Sequence, residues 1–384
     1  MKNMNRENSA HPAQFPDASA RTEPPPTVPG LKRRSFLKRL GLGGAALLPA
    51  GGWLASETIA RADSSGGRLT RGDVAILRFL AAAEILETDL WQQYNELALG
   101  NAAFQQALQV LDGDMPTYVN QNTRNEFTHQ DFLNAYLVSK RAGPVNLDAF
   151  RTLPSSQATG SNKTAKRLTN LMNLTVDTSW FTRYRSTGNP DFGDSFPQIV
   201  NLVNVPAIPN TDLPAGSDDI QLIANTAGFH FATIEQGGSS LYDSLLPKVS
   251  SLEVIKIVAG IGGSEVQHFE IWQDKAGNAP PVPLATGALF PELPHAADQT
   301  PTGIDVASPG DTNQVMARPC KFINANLPLC AVIRPTSTAK GGAMAAATGL
   351  TASGLFNGQS QAFFKALFGL AAAADAARRA SGED

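Results

Sequence analysis

Two copies of the pattern Glu-x-x-His constrain what this chain can fold into more than any other feature. The first is EFTH at 126–129 and the second is EVQH at 265–268. Both lie in stretches with helical periodicity, and residues three apart on a helix project to the same side. Each motif can therefore present a carboxylate and an imidazole to one metal pair. The candidate ligands from the motifs are Glu126, His129, Glu265 and His268.

Four long helices are predicted from apolar periodicity and from start and stop signals. Thr70 with Asp73 three residues later resembles a capping box. Ala142-Gly143-Pro144 is typical of a helix end, with a cap glycine followed by proline. The predicted helices cover residues 70–99, 115–142, 218–246 and 251–276.

A lone glutamate on the first helix and another on the third, Glu84 and Glu235, lie in otherwise apolar faces. The order along the chain is then Glu, ExxH, Glu, ExxH. Buried carboxylates are costly unless they are paired or bound to metal, and four that converge without a cation would repel one another. Solvated Glu/His pairs on exposed helix faces are the alternative interpretation.

The choice of Glu84 follows from a similarity between the two halves of the chain. An aromatic residue follows Glu84 and Glu235 by seven positions, Trp91 in one case and Tyr242 in the other. Glu87 remains the alternative ligand from the first helix, because Tyr94 follows it at the same distance.

Four carboxylates and two imidazoles form a hard, oxygen-rich donor set. Such a set suits two Fe or Mn ions and argues against a copper–thiolate or structural zinc site. Glu84 and Glu265 are expected among the carboxylates that bridge the two ions. O2 or H2O2 would be the small substrate, and the sequence identifies no catalytic residue beyond the ligands.

Glycines are frequent beside the predicted ligands, and each costs a helix up to about 1 kcal/mol. We expect them to allow close approach of the third and fourth helices, or a narrow path for a small oxidant. His230 is expected to be a core or interface histidine and His295 a solvated one. The glycines are Gly237, Gly238, Gly260, Gly262 and Gly263.

The first 62 residues are predicted to be a disordered N-terminus and a twin-arginine export signal. Arg33 and Arg34 are followed by Phe-Leu-Lys and a weakly apolar stretch at 40–55, and Ala60-Arg61-Ala62 fits a cleavage site. The protein is therefore expected in the periplasm or outside the cell, with the twin-arginine translocation machinery as a partner. No later apolar run reaches the length of a membrane span. The net charge of -3 argues against nucleic-acid binding.

Outside the four helices, two further helices and a disulfide are predicted. One helix, at 164–181, lies in a long crossover at about 143–217. The other, at 357–380, closes a Pro/Gly-rich extension at 281–384 and offers an apolar docking face. Outside the cytoplasm Cys320 and Cys330, ten residues apart, are expected to form a disulfide. The docking face comprises Phe363, Phe364, Leu367 and Phe368.

With both ExxH motifs and both lone glutamates, the chain resembles the ferritin-like superfamily. Within it, the chain is most similar to twin-arginine-exported ferritin-like domain proteins related to the desiccation-related proteins. The resemblance covers the four helices, over about 70–280. It implies an all-α, ferritin-like four-helix bundle with one long crossover connection and an irregular C-terminal extension ending in a helix. The crossover and the extension depart from the family pattern, and a homo-oligomer is possible.

Two functions from different classes are compatible with these features. The first is an exported di-iron or di-manganese oxidoreductase that oxidises Fe(II) or detoxifies peroxide. The alternative is a non-catalytic protein of the envelope, structural or protective against stress and desiccation. In that protein the metal pair would be vestigial or would mainly stabilise the helices.

Overall fold

A computed structural model of the 384-residue chain describes residues 69–181, 197–284, 290–293, 319–332 and 341–380. These residues are mostly helical, as the all-α prediction requires. The twin-arginine pair Arg33 and Arg34, the cleavage site at 60–62 and His295 lie outside the described residues.

The long helices are α1, α3, α4 and α5, and they match the four predicted ones to within a few residues at each end. The helices are α1 (Arg71–Gly100), α2 (Ala102–Leu111), α3 (Met115–Ser139), α4 (Asp218–Leu245), α5 (Leu252–Ala276), α6 (Ala343–Ala352) and α7 (Gln361–Asp375). Two antiparallel strand pairs accompany them, β1 (Leu174–Val176) with β2 (Leu202–Val205), and β3 (Pro319–Cys320) with β4 (Cys330–Ala331).

The long helices pack in two pairs, α1 with α3 and α4 with α5. Each helix with a lone glutamate therefore lies beside a helix with an ExxH motif. Aromatic rings join the pairs in the core: Trp91 of α1 stacks on Trp272 of α5 at 5.4 Å and lies 4.9 Å from Phe231 of α4. Such buried rings bring large apolar areas together and prefer offset or tilted contacts.

The start of α1 is tied to the start of α5 by one buried carboxylate. Thr70 Oγ1 accepts the backbone N–H of Asp73 at 3.0 Å, as the predicted cap requires. The Asp73 carboxylate, however, accepts the backbone N–H groups of Ser250 and Ser251 at 2.8 and 3.0 Å. The expected capping box is therefore half formed, because the Asp73 carboxylate accepts N–H groups at the start of α5 and not the N–H of Thr70.

The end of α3 differs from the prediction. The helix stops at Ser139, and Arg141 takes the left-handed conformation with φ of 62°. The Ala142 N–H donates to Leu137 O at 2.9 Å, and the Arg141 N–H donates to Val138 O at 3.0 Å. These two bonds form a Schellman motif, in which glycine is the usual left-handed residue. The predicted cap glycine, Gly143, comes two residues too late to serve as that residue.

The helix predicted at 164–181 is wrong, because this segment is mainly irregular and contains β1. Its leucines at 168, 171 and 174 are buried, but its backbone bonds to distant partners. The buried Asp89 of α1 accepts the N–H groups of Leu168 and Thr169 at 2.9 and 3.0 Å. Tertiary contacts thus replace the helical bonds that the apolar spacing indicated.

The closing helix predicted at 357–380 is present in shorter form as α7, and the preceding α6 was not predicted. The predicted docking face is confirmed: α7 packs against α1. Phe363 and Leu367 are buried, while Phe364 and Phe368 are partly buried against the same core. The Asp375 carboxylate near the end of α7 accepts the first two N–H groups of α6 at 3.0 and 2.8 Å.

The two cysteines are paired residues in the ladder between β3 and β4, where Cys320 lies opposite Cys330. The side chain of Cys320 lies outside the described part of the chain, so the disulfide stays a prediction. Among the described residues, no helix combines the length and the apolar character that crossing a membrane requires.

Replacing Arg141 with glycine is expected to stabilise the protein. A side chain in the left-handed region costs the folded state roughly 1–2 kcal/mol, and glycine removes that cost. Part of the gain is lost because glycine also gives the unfolded chain more conformational freedom. We expect Arg141→Gly to raise the free energy of unfolding by about 0.5–1 kcal/mol in urea denaturation. Arg141→Ala keeps the Cβ and is the control. Equal stability of the glycine and alanine variants would contradict this account of the helix end.

Candidate metal centre

The six predicted ligands meet in the interior, where the four long helices converge. The exposed fraction of their side chains is small, and His129 is the most accessible residue at 9%. Each residue is on the helix that the sequence predicts. They are Glu84 on α1, Glu126 and His129 on α3, Glu235 on α4, and Glu265 and His268 on α5.

The ligand atoms form two overlapping groups, each able to hold one metal ion. Within each group, one donor atom per residue lies within 4.8 Å of the others. One group contains Glu84 and His129, and the other contains Glu235 and His268; Glu126 and Glu265 belong to both.

The sharing differs from one expectation about bridges, which itself stays a prediction. Glu265 is shared as predicted, but its counterpart is Glu126 and not Glu84. The reason is the pairing of the helices. Glu84 and His129 come from the packed pair α1–α3, so they serve one group. The motif glutamates of α3 and α5 face each other between the two pairs.

Both histidines direct Nδ1 towards the carboxylates. His129 Nδ1 lies 3.0 Å from Glu126 Oε2, and 3.4 Å from both Glu84 Oε2 and Glu265 Oε1. His268 Nδ1 lies 3.1 Å from Glu235 Oε2 and 3.2 Å from Glu126 Oε1. The two halves are thus built alike, each with a lone glutamate and an imidazole around the shared pair.

Carboxyl groups and both imidazoles of this cluster have raised pKa values. Burial raises the pKa of Glu126 to about 7, although hydrogen bonds from both histidines oppose the shift. Burial, followed by the charges of Glu126 and Glu235, raises the pKa of Glu265 well above its usual range. Burial alone would lower the pKa of His129 and His268, but the neighbouring carboxylates raise each to about 10.

The donor set fits a hard divalent cation. Three buried carboxylate oxygens, Glu84 Oε2 and both oxygens of Glu265, form no hydrogen bond among the described residues. Two of them have only the longer 3.4 Å ion-pair contact with His129 Nδ1. Buried polar atoms are normally satisfied, and exceptions call for an explanation such as an ion. A cation held between the two helix pairs would satisfy all three oxygens and offset the repulsion.

Asn122, which the sequence analysis missed, orients two of the carboxylates. Its Nδ2 donates to Glu126 Oε1 at 2.8 Å and to Glu235 Oε1 at 2.9 Å. The Trp272 indole N–H donates to Asn122 Oδ1 at 2.8 Å, which fixes the amide. The available signal was its position four residues before Glu126, on the same face of α3.

Each histidine is supported through Nε2 by the residue that precedes the other motif. Ser264 Oγ lies 3.2 Å from His129 Nε2, and Asn125 Nδ2 lies 3.0 Å from His268 Nε2. A neutral imidazole that gives Nδ1 to a metal keeps its proton on Nε2. Ser264 Oγ can accept a hydrogen bond from that N–H as it stands, whereas Asn125 would have to present Oδ1 as the acceptor.

The aromatic residues that follow the lone glutamates are not equivalent. Tyr242 is buried, and its hydroxyl donates to Glu84 Oε1. It therefore links α4 to the lone glutamate of α1. Trp91 has no such contact and packs in the aromatic core.

Glu87, the alternative ligand, belongs to neither group and instead lines a neighbouring cavity. The structure thus places Glu84 in the cluster. His230 is also outside both groups, as expected of a core histidine. It is 1% exposed, and its Nδ1 lies 2.7 Å from the Tyr94 hydroxyl.

Close approach explains two of the five glycines. A Cβ at Gly238 would lie 2.4 Å from Glu265 Oε2, and one at Gly262 would lie 2.8 Å from Tyr242 Cβ. At Gly237, Gly260 and Gly263 a Cβ would meet nothing within 4 Å.

No protein-family model, curated protein or solved structure matches this chain. What can be inferred about its function therefore depends on the cluster itself.

Adding one methyl group at Gly238 is expected to weaken metal binding. The Glu265 carboxylate must shift to admit the Cβ, and such distortion of ligand support typically costs about 10- to 100-fold in affinity. We expect Gly238→Ala to bind Mn(II) at least about ten-fold more weakly in chelator competition. Gly237→Ala, where a Cβ has free space, is the matched control. Equal affinity in the two variants would refute the role of Gly238.

The metal-free protein is expected to lose stability as the pH rises from 6.5 to about 9. The pKa of His129 and His268 rises from 6.5 to about 10 on folding, so their contribution is complete below pH 6.5 and is lost towards pH 10. The raised pKa of Glu265 acts in the same direction. Calorimetry in chelator should show a falling Tm, and Mn(II) should stabilise more as the pH rises because ligands bind deprotonated. A metal-free Tm that is constant or rises over this range would contradict the prediction.

Proposed function

We propose that this chain is an exported, ferritin-like protein that holds two Fe or Mn ions and uses them to oxidise Fe(II) or to decompose peroxide. The observation that most supports the proposal is the pair of four-ligand groups that share Glu126 and Glu265. An isolated acidic patch would not provide two equivalent positions, each with its own imidazole.

Different residues of the protein would contact different parts of such a metal pair. Bound Fe or Mn would supply redox chemistry toward O2 or H2O2. Glu126 and Glu265 would contact both positions, and each lone glutamate with its histidine would contact one. Asn122 and Tyr242 orient carboxylates from outside the cluster, which favours a fixed geometry. Burial of all six ligands excludes bulk water and favours a small oxidant.

The architecture supports the ferritin-like part of the proposal. Short links join α1 to α3, through α2, and α4 to α5, whereas residues 140–217 separate α3 from α4. Two helix pairs joined by one long crossover, with a glutamate from two helices and ExxH from the other two, form the known pattern of di-iron and di-manganese carboxylate bundles. Export is supported by Arg33, Arg34 and the motif at 60–62.

One observation favours the alternative, a protective or structural protein in which metal mainly stabilises the fold. The cluster is buried among the four long helices, and three of its carboxylate oxygens form no hydrogen bond among the described residues. A cation would therefore strengthen contacts between the helices even without turnover. The two functions differ in a measurable way, since only the first consumes Fe(II) or H2O2.

The test begins with metal content. Mass spectrometry on protein purified from its native envelope, without added metal, is expected to give about two Fe or Mn ions per chain. Glu126→Gln should lower this content and abolish turnover, because the shared carboxylate loses its charge. Asp131→Asn, an exposed change on the same helix, is the control.

Turnover then separates the two functions. Protein loaded with two metals should oxidise Fe(II) or consume H2O2. Loaded protein that does neither, but melts at a lower temperature after chelation, would replace the redox function with the protective one. Folded protein without metal above background would contradict the redox function and would leave the helices as a scaffold with a vestigial site.

A further inference from the structure

A cavity of about 440 Å³ lies beside the candidate metal centre, within the size range of small-molecule sites. Residues of α1, α4, α6 and α7 and of the β1–β2 segment line it, and most of the lining is apolar. Typical lining residues are Phe79, Leu86, Leu90, Ile234, Leu241 and Leu350. At protein packing density, a space of this size holds on the order of fifteen non-hydrogen atoms.

Several polar side chains interrupt this apolar lining, namely Thr175, Asp177, Gln198, Asn201, Thr233, Ser353, Glu87 and His230. Among the described lining residues, Glu87 and His230 are the two that have a buried side-chain atom without a hydrogen bond. His230 is 1% exposed, and its Nε2 has no hydrogen-bond partner among the described residues. Glu87 is partly buried as a residue, and its Oε1 is buried and forms no hydrogen bond there, although the Trp91 indole is near enough to oppose the rise in the pKa of its carboxyl group. A buried polar atom without a partner costs about 1–3 kcal/mol, so each position calls for a ligand atom.

The contact with Tyr94 decides what His230 offers. The Tyr94 hydroxyl is buried, and within the described chain His230 Nδ1 is the acceptor in reach, at 2.7 Å. If the hydroxyl donates to Nδ1, the neutral ring carries its proton on Nε2. Burial lowers the pKa of His230 to about 3, which keeps the ring neutral. His230 therefore presents an N–H donor and requires an acceptor.

Glu87 offers both a donor and an acceptor. Burial, and then the nearby charges of Glu235, Glu126 and Glu84, raise its pKa well above the usual range. The raised pKa favours the protonated carboxyl group, which can donate one hydrogen bond and accept others.

Gly238 connects the cavity to the cluster. It lines the cavity, and a Cβ on it would lie 2.4 Å from Glu265 Oε2. A molecule in the cavity and the Glu265 carboxylate of the candidate metal centre would thus both lie beside Gly238.

We propose that this cavity binds a neutral, largely apolar molecule with one hydroxyl group, which accepts from His230 Nε2 and pairs with the Glu87 carboxyl. An anionic head would lose its hydration in this cavity, and no Lys or Arg among the described lining residues could pair with it, so it would be excluded. An ammonium head has no lone pair to accept from His230. The binding needs no metal, so it goes beyond the proposed redox function.

The test is calorimetric titration of metal-free, full-length protein with three probes that share one chain: 1-octanol, octanoate and octylammonium. We expect 1-octanol to bind at least ten-fold more tightly than either charged probe. Glu87→Leu should weaken 1-octanol binding about ten-fold, the effect of one lost hydrogen bond. Glu87→Gln, which keeps donor and acceptor atoms, should retain most of the affinity.

Two variants locate the binding in the cavity. Ala346→Phe adds a ring to the lining, and Val203→Trp narrows the exposed side, where Val203 is 55% exposed and the core is undisturbed. Both should abolish 1-octanol binding. Equal binding by wild type and Val203→Trp, tight binding of octanoate, or no binding of 1-octanol would overturn the proposal. Because metal is absent, none of these outcomes depends on metal loading or turnover.

Discussion

Repulsion among buried carboxylates is the constraint on which the rest of this structure depends. Glu84, Glu126, Glu235 and Glu265 are almost completely removed from water, and each comes from a different long helix. Two histidines, one asparagine and one tyrosine surround them and supply protons or hydrogen bonds. The packing of the helices therefore also fixes the geometry of the centre, since any shift of a long helix moves one of the carboxylates.

Outside the centre, three aspartate carboxylates join distant segments of the chain by the same kind of hydrogen-bond contact. Asp73, Asp89 and Asp375 each accept two consecutive backbone N–H groups from another part of the chain. Asp375 holds the first turn of α6, Asp73 holds the two residues that precede α5, and Asp89 holds the crossover against α1. Such bonds to a charged acceptor are roughly twice as strong as neutral ones. They secure elements that apolar packing alone would leave free to slide.

The sequence was sufficient for the long helices and for the six residues that cluster, because helical periodicity and the spacing of three in ExxH act locally. It was insufficient where distant contacts decide. The leucines at 168, 171 and 174 have a helix-like spacing, yet Asp89 binds the backbone that a helix would use.

Within the centre too, local patterns predicted some features, and contacts between distant residues determined the others. Glu126 rather than Glu84 is shared because of how the helix pairs face each other, which no local pattern encodes. Asn122 lies on the correct face of α3, but its role requires Trp272, 150 residues away. At the end of α3, the local stop signal indicated Gly143, whereas the hydrogen bonds place the left-handed residue at Arg141.

The exchange of contacts between the motifs has a consequence for how the centre works as a unit. The orientation of His129 depends on Ser264 of α5, and that of His268 depends on Asn125 of α3. Neither half can be completed by its own helix pair, so occupation of one position orders groups that support the other. The two halves are interlocked, and thermodynamic linkage then makes their coupling reciprocal. Damage to one half is therefore expected to lower the affinity of the other half for a metal ion.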